Sequence, residues 1–320
     1  MTITSPRFAF YLLLFISFIW GGEFILIDLT IAQLPTHTFN ALRFLLAALA
    51  LLPVYYFSKE RHQLKPVLAL MGCGMVLGFL LFVGFFAQAE GMRYTSVSNA
   101  GFITGMSVPL VSLLGFILFK NRTRWTAWLG ILSATLGLYL LTMGDQFTFN
   151  KGDLMVLICA FAFALHIIFT GRFVKNLPIL TLCIIQLFAV AAFSLLSALL
   201  SGEPLFYLVG QEALSWDQQV FKPIILFSIL IAGLLGTSLA YWGQSACQQI
   251  LAPHKVALIF ASEPVFAHGA AWLFLDEHLG VLGFVGAGFI LLGMVISELG
   301  DKSPNQEKLA NEPSGNLAKL

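Results

Sequence analysis

Glu23, Arg43, His166 and Glu263 all stand inside long apolar runs. A charge at a bilayer centre costs roughly 2.5–3.5 kcal/mol on insertion scales, so each must find a partner or a wet cavity. Glu263 precedes Pro264 in the stretch ASEPVFAHGAAW, residues 261–272. Proline has no N–H and clashes with the carbonyl four residues back. The helix is therefore expected to open near Phe260, placing a carboxylate and a freed carbonyl within one turn. At membrane depth such backbone is tolerated only where it faces protein or a water-filled cavity. Glu263 is then either a substrate or proton site, or a glutamate that accompanies a structural kink and is protonated or bonded to a neighbouring helix. Pro109 is the near-equivalent earlier in the chain; it frees the carbonyl of Gly105 but brings no carboxylate.

Depth relates the other charges. At 1.5 Å per residue, Glu23 lies about 12 Å below the outer end of its run and Arg43 about 8 Å below the outer end of the next. Desolvated charges demand partners, so an ion pair between them is one reading. The other is that Glu23 takes protons or a cationic group while Arg43 holds a carboxylate of the cargo. His166 suits either proton relay or hydrogen-bonded packing, since neutral imidazole is cheap to bury. Trp20, three residues before Glu23, shares its helix face, as does Phe260 relative to Glu263. Tyr241 and Trp242 enter the same region, and such rings can bind an apolar group or a cation. Asn99, Gln88 and Gln244 are polar positions near helix ends, suited to interhelical hydrogen bonds or to cargo. The expected binding or coupling set is thus Glu23, Arg43, Glu263, Trp20, His166, Tyr241, Trp242, Phe260 and Asn99, with helix breaks at Pro109 and Pro264.

The elements that must position these residues follow from composition. Of 320 residues 58% are hydrophobic and 10% charged, against about 25% charged in soluble domains. The chain reads as an all-α polytopic membrane protein. Apolar runs of membrane-spanning length number ten, at 8–31, 38–57, 67–89, 97–119, 125–143, 154–171, 179–201, 223–247, 256–275 and 279–297. Thirteen basic residues fall on one side of this arrangement and three on the other, Arg93, Lys151 and Lys222, with Arg43 inside a run. Basic loops favour the cytoplasm, so both termini are expected there, residues 1–7 as the N-terminus and 301–320 as a disordered cytoplasmic tail. A net charge of +1 gives no basic face for nucleic acid. Cys73, Cys159, Cys183 and Cys247 form no CxxC pair, and neither a metal site nor a cofactor is expected. The absence of a GxxxxGK[ST] loop speaks against ATP hydrolysis. Asp276, Glu277 and His278 read as a solvated outer cap.

The halves resemble each other. LPTHTFNALRF at 34–44 aligns with LPILTLCIIQLF at 177–188 at an offset of 143, setting Glu23 over His166 and Arg43 over Gln186. FFAQA at 85–89 aligns with YWGQS at 241–245 at an offset of 156, as do Gly130 with Gly286 and Gly137 with Gly293. Five spans per half, an odd number, turn the second half upside down, and such inverted repeats build secondary transporters with a mid-membrane site. WGGEF at 20–24, RYTSVSNAGFITG at 93–105, SEPVFA at 262–267, and Glu277 followed by Gly286 and Gly293 resemble the EamA family of the drug/metabolite transporter superfamily over about residues 8–297. The resemblance implies two five-helix EamA repeats, 8–143 and 153–297, in a permease of the bacterial inner membrane that moves small metabolites, often outward. The expected function is a secondary permease, an exporter of a small polar or zwitterionic metabolite such as an amino acid, working by alternating access and not an enzyme. Its partners would be the small-molecule substrate, membrane lipid and protons as coupling ion, with the protein a monomer or homodimer. A proton-coupled exporter of cationic amphipathic compounds is the alternative; a membrane scaffold or membrane-embedded enzyme is the reading from another class.

Overall fold

The computed structural model describes residues 3–62, 67–95, 97–120, 124–142, 150–201, 216–275 and 280–299. The expected tail 301–320, the cap at Asp276, Glu277 and His278, and most of the 202–222 loop lie outside them. The described chain is helical: α1 (Pro6–Ile31), α2 (Thr36–Tyr56), α3 (Val67–Met92), α4 (Val97–Gly105), α5 (Ser107–Phe119), α6 (Trp125–Thr142), α7 (Lys151–Phe173) and α8 (Ile179–Ser201). After the short α9 (Trp216–Val220) come α10 (Pro223–Leu230), a π-helical segment at Ile231–Leu239, α11 (Ala240–Cys247), α12 (Pro253–Phe260), α13 (Glu263–Leu275) and α14 (Val281–Leu299). Among the described residues, eight helical segments are long and apolar enough to cross a membrane, and Trp125–Leu140 and Val281–Ile296 are shorter apolar helices. This is a multi-pass membrane protein.

Local chemistry sets the helix starts. Ser5 caps α1, with Pro6 at the first turn where its missing N–H costs nothing. Asn150 and Asp153 close a reciprocal capping box on α7, and the Thr95 hydroxyl donates to Asp153 at 2.5 Å. The N-terminus of α8 is capped from a distance: Glu60, in a 3-10 turn at Lys59–His62, accepts from the amides of Leu180 and Thr181 at 3.0 and 3.2 Å. Pro223 and Pro253 open α10 and α12.

Packing is by close backbone approach, since lipid is as apolar as leucine and gives helices no hydrophobic reason to associate. A Cβ on Gly293 would meet the carbonyl of Gly130, and one on Gly137 the carbonyl of Gly286, so α6 and α14 touch backbone to backbone. Gly21 sets α1 against α13, and Gly78 sets α3 against α8. Outward faces such as Phe79, Phe116, Leu200 and Phe284 stay exposed, as a lipid belt requires. Inside, the apolar residues form two clusters, one around Leu13, Phe44, Leu77 and Tyr241, the other around Phe24, Phe39, Ile103 and Ala267.

Two spans are broken. The 97–119 run divides into α4 and α5 at Met106, and the 256–275 run into α12 and α13 at Ala261–Ser262. α5 packs on α12 and α4 on α13, which brings the interruptions together at the centre of the molecule.

Candidate functional site

A cavity lies at these interruptions. Glu23 and Trp20 reach it from α1, Arg43 from α2, His166 from α7, Tyr241 from α11, Phe260 from the last turn of α12, and Glu263 with Pro264 from the start of α13. Two carboxylates, one guanidinium and one imidazole therefore share one chamber walled by aromatic rings.

Arg43 is the most enclosed member, 1% exposed. Its Nη2 meets a Glu23 carboxylate oxygen at 2.5 Å, and its Nε donates to the Thr237 hydroxyl at 3.0 Å. Phe85, Phe44 and Phe39 place ring centroids 4.6, 5.3 and 5.7 Å from its guanidinium carbon, within cation–π range. Thr237 and three rings thus hold Arg43, although its Nη2 makes no aligned hydrogen bond among the described residues. Glu23 is buried too, 2% exposed, but neither of its oxygens accepts an aligned hydrogen bond among the described residues. Opposite it stands Gly236, where a Cβ would run into the carboxylate. The Trp20 indole N–H donates to the Gly236 carbonyl at 2.7 Å, which fixes that ring on the cavity wall.

His166 pairs with Gln186, Nε2 to Oε1 at 3.1 Å, and stands edge-on to Tyr241 at 5.5 Å between centroids. The two residues opposite Glu23 and Arg43 in the alignment of the halves thus also touch. Glu263 has no basic partner among the described residues. The break before it is closed around the Ile259 carbonyl, which accepts from the Ser262 amide at 3.1 Å, the Ser262 hydroxyl at 2.7 Å and the Ser17 hydroxyl at 3.4 Å. His268 binds the Pro264 carbonyl at 2.9 Å.

Trp242 packs against the larger apolar cluster rather than lining the cavity. Pro109 sits in the first turn of α5, its helix break contributing Gly105 and Ser107 to the wall in its stead. The side chain of Asn99 lies outside the described residues. Gln88 and Gln244 are on the wall, Gln88 donating to Thr104 at 3.1 Å and Gln244 to Gln248 at 3.3 Å.

Sequence reading missed several wall residues that its own offsets reach: Phe163 stands 143 positions after Trp20, Phe85 stands 156 before Tyr241, and Ser107 stands 156 before Glu263. For Thr237 and Gly236 no signal was available beyond a small-residue stretch in an apolar span.

The EamA-like transporter family matches residues 7–143 and again 150–299. The chain belongs to that family. Among curated relatives, an "Uncharacterized transporter" of Archaeoglobus fulgidus is 26% identical over 89% of this chain and 83% of its own length. A "Probable amino-acid metabolite efflux pump" of Salmonella typhimurium is 24% identical over 91% and 94%. An "Uncharacterized inner membrane transporter" of Escherichia coli K12 is 25% identical over 74% and 78%. A solved crystal structure shares the fold, with a TM-score of 0.72 over 92% of this chain and 98% of that one at 17% identity.

Proposed function

We propose that this EamA-like protein is a secondary exporter that carries a small zwitterion such as an amino acid across the bacterial inner membrane by alternating access. It has ten membrane helices in two inverted five-helix repeats, and both termini are cytoplasmic. The observation that carries this reading is the shared chamber: Glu23, Arg43 and Glu263 converge on one cavity from both halves of the chain. One guanidinium offers a carboxylate its bidentate partner, and two carboxylates offer an ammonium its own.

The helix pairings support the inverted repeat. When the first five spans are exchanged for the second five, α3 on α7 becomes α10–α11 on α1, α3 on α8 becomes the π segment on α2, and α5 on α12 becomes α13 on α4; each of these contacts occurs. The contact of Gly130 with Gly293 likewise becomes that of Gly286 with Gly137. The amino-acid reading is also supported by the efflux-pump name of the Salmonella relative, which shares most of its length with this chain.

The test is exchange of labelled L-amino acids by purified protein in liposomes. Saturable counterflow of at least one is expected, with Glu263→Gln reducing it at least tenfold while the protein still elutes as a folded species. Unchanged rate and pH dependence in that variant would remove Glu263 from the mechanism. The excess of acid over base and the six-membered aromatic wall favour one other cargo, a cationic amphipath exchanged for protons. Uptake of a quaternary amine driven by a pH gradient, with no amino-acid flux, would select it.

A further inference from the structure

We infer that Glu23 is a built-in stand-in for the cargo's carboxylate, occupying Arg43 in the empty carrier and yielding it to an incoming carboxylate. The inference rests on the proposed transport of a zwitterion and adds how the site recognises one. Its basis is the unequal anchoring of the two partners. Arg43 is tied through Nε to Thr237 and enclosed by Phe39, Phe44 and Phe85, although its Nη2, like both Glu23 oxygens, makes no aligned hydrogen bond among the described residues. Glu23 is held by Arg43 alone among the described residues, with both oxygens otherwise unsatisfied and a glycine, Gly236, beside them where any larger residue would intrude. When a second carboxylate enters, Glu23 is the partner with fewer contacts to lose.

Both side chains line the cavity, so the exchange needs no route through packed core. Glu263 lines the same cavity without a basic partner among the described residues. A released Glu23 therefore has a use only if the cargo also carries a cation for the two carboxylates to share. An anion without an amine would strand Glu23 as an unpaired buried charge, and an amine without a carboxylate would leave the internal pair closed. The lock thereby demands both charges on one molecule.

Acetate tests the exchange without knowledge of the cargo. Detergent-purified full-length wild type, Glu23→Ala and the double variant Glu23→Ala/Arg43→Gln are titrated with sodium acetate against sodium chloride of equal ionic strength, following thermal unfolding. Ligand that binds only the folded state raises the unfolding midpoint in a saturable way. The expected result is stabilisation of Glu23→Ala at acetate concentrations at least tenfold below any that affect the wild type, with no specific response of the double variant. An equal response of wild type and Glu23→Ala, or an equal response of the double variant, would overturn the proposal. Should Glu23→Ala fail to fold, Glu23→Gln, which gives up the charge and keeps most of the volume, is judged by the same comparison. Because acetate occupancy is read without flux, failure here leaves amino-acid counterflow standing, and absent counterflow leaves this result intact.

Discussion

At the scale of single residues, Glu23 and Arg43 form a buried ion pair. Removing one partner of a buried pair leaves an uncompensated charge and costs about 3–5 kcal/mol, whereas removing both costs far less. Arg43→Gln is therefore expected to lower the unfolding midpoint markedly, and Glu23→Gln in the same chain to recover part of the loss, as a double-mutant cycle in detergent would read. Arg43→Lys is expected to behave like a loss of function, because an ammonium has neither the Nε donor that Thr237 accepts nor a flat face for Phe85. Flux and stability measured together check this: flux should fall even where the fold is retained. Glu23 and Arg43 were legible from the sequence because charge in oil is conspicuous and depth along a helix can be counted. Thr237 and Gly236 were not, since a neutral hydroxyl and a bare Cα carry no such signal until a partner lies against them.

Helices and their interruptions decide what those residues can reach. The π segment Ile231–Leu239 presents Gly233, Gly236 and Thr237 to α1 and α2, and π turns of this kind cluster at functional sites. Gly236→Ala improves intrinsic helix propensity by about 1 kcal/mol, yet its methyl would displace the Glu23 carboxylate. The expected outcome is lost flux without a matching gain in thermal stability. Pro264→Ala restores an amide donor that the carbonyl of Phe260 could use, and should raise the unfolding midpoint while slowing transport, because a continuous helix would carry Glu263 out of the cavity wall. The Glu-Pro pair announced a break in advance. The position of that break, at Ala261–Ser262, depended on hydroxyls of Ser17 and Ser262 converging on the Ile259 carbonyl, one of them from a helix more than two hundred residues away.

For the whole molecule, close contact of α6 with α14 is expected to be intolerant of bulk. Gly293→Val would press into the Gly130 carbonyl and should destabilise by about 1–3 kcal/mol, the usual cost of overpacking, measured as a lowered midpoint. Thiol labelling tests the proposed orientation. Single cysteines replacing Lys59 or Lys255, in a background lacking native cysteines, should react with an impermeant reagent only after cell lysis, and one replacing Lys151 should react in intact cells. The reverse pattern would turn the molecule over.

The sequence by itself determined the solvent, the helical class, the approximate boundaries of the apolar runs and the family resemblance. All of these are written along the chain, as length, hydropathy and position. Only the tertiary structure decided which faces meet: that Glu23 reaches Arg43, that His166 reaches Gln186, that Tyr241 lines the chamber while Trp242 does not. In water a helix advertises its buried face by contrast with a polar one. Here lipid and protein interior are equally apolar, so the rotation of each helix about its axis leaves almost no trace in the sequence, and it is fixed by small residues and hydrogen bonds at contacts between distant segments.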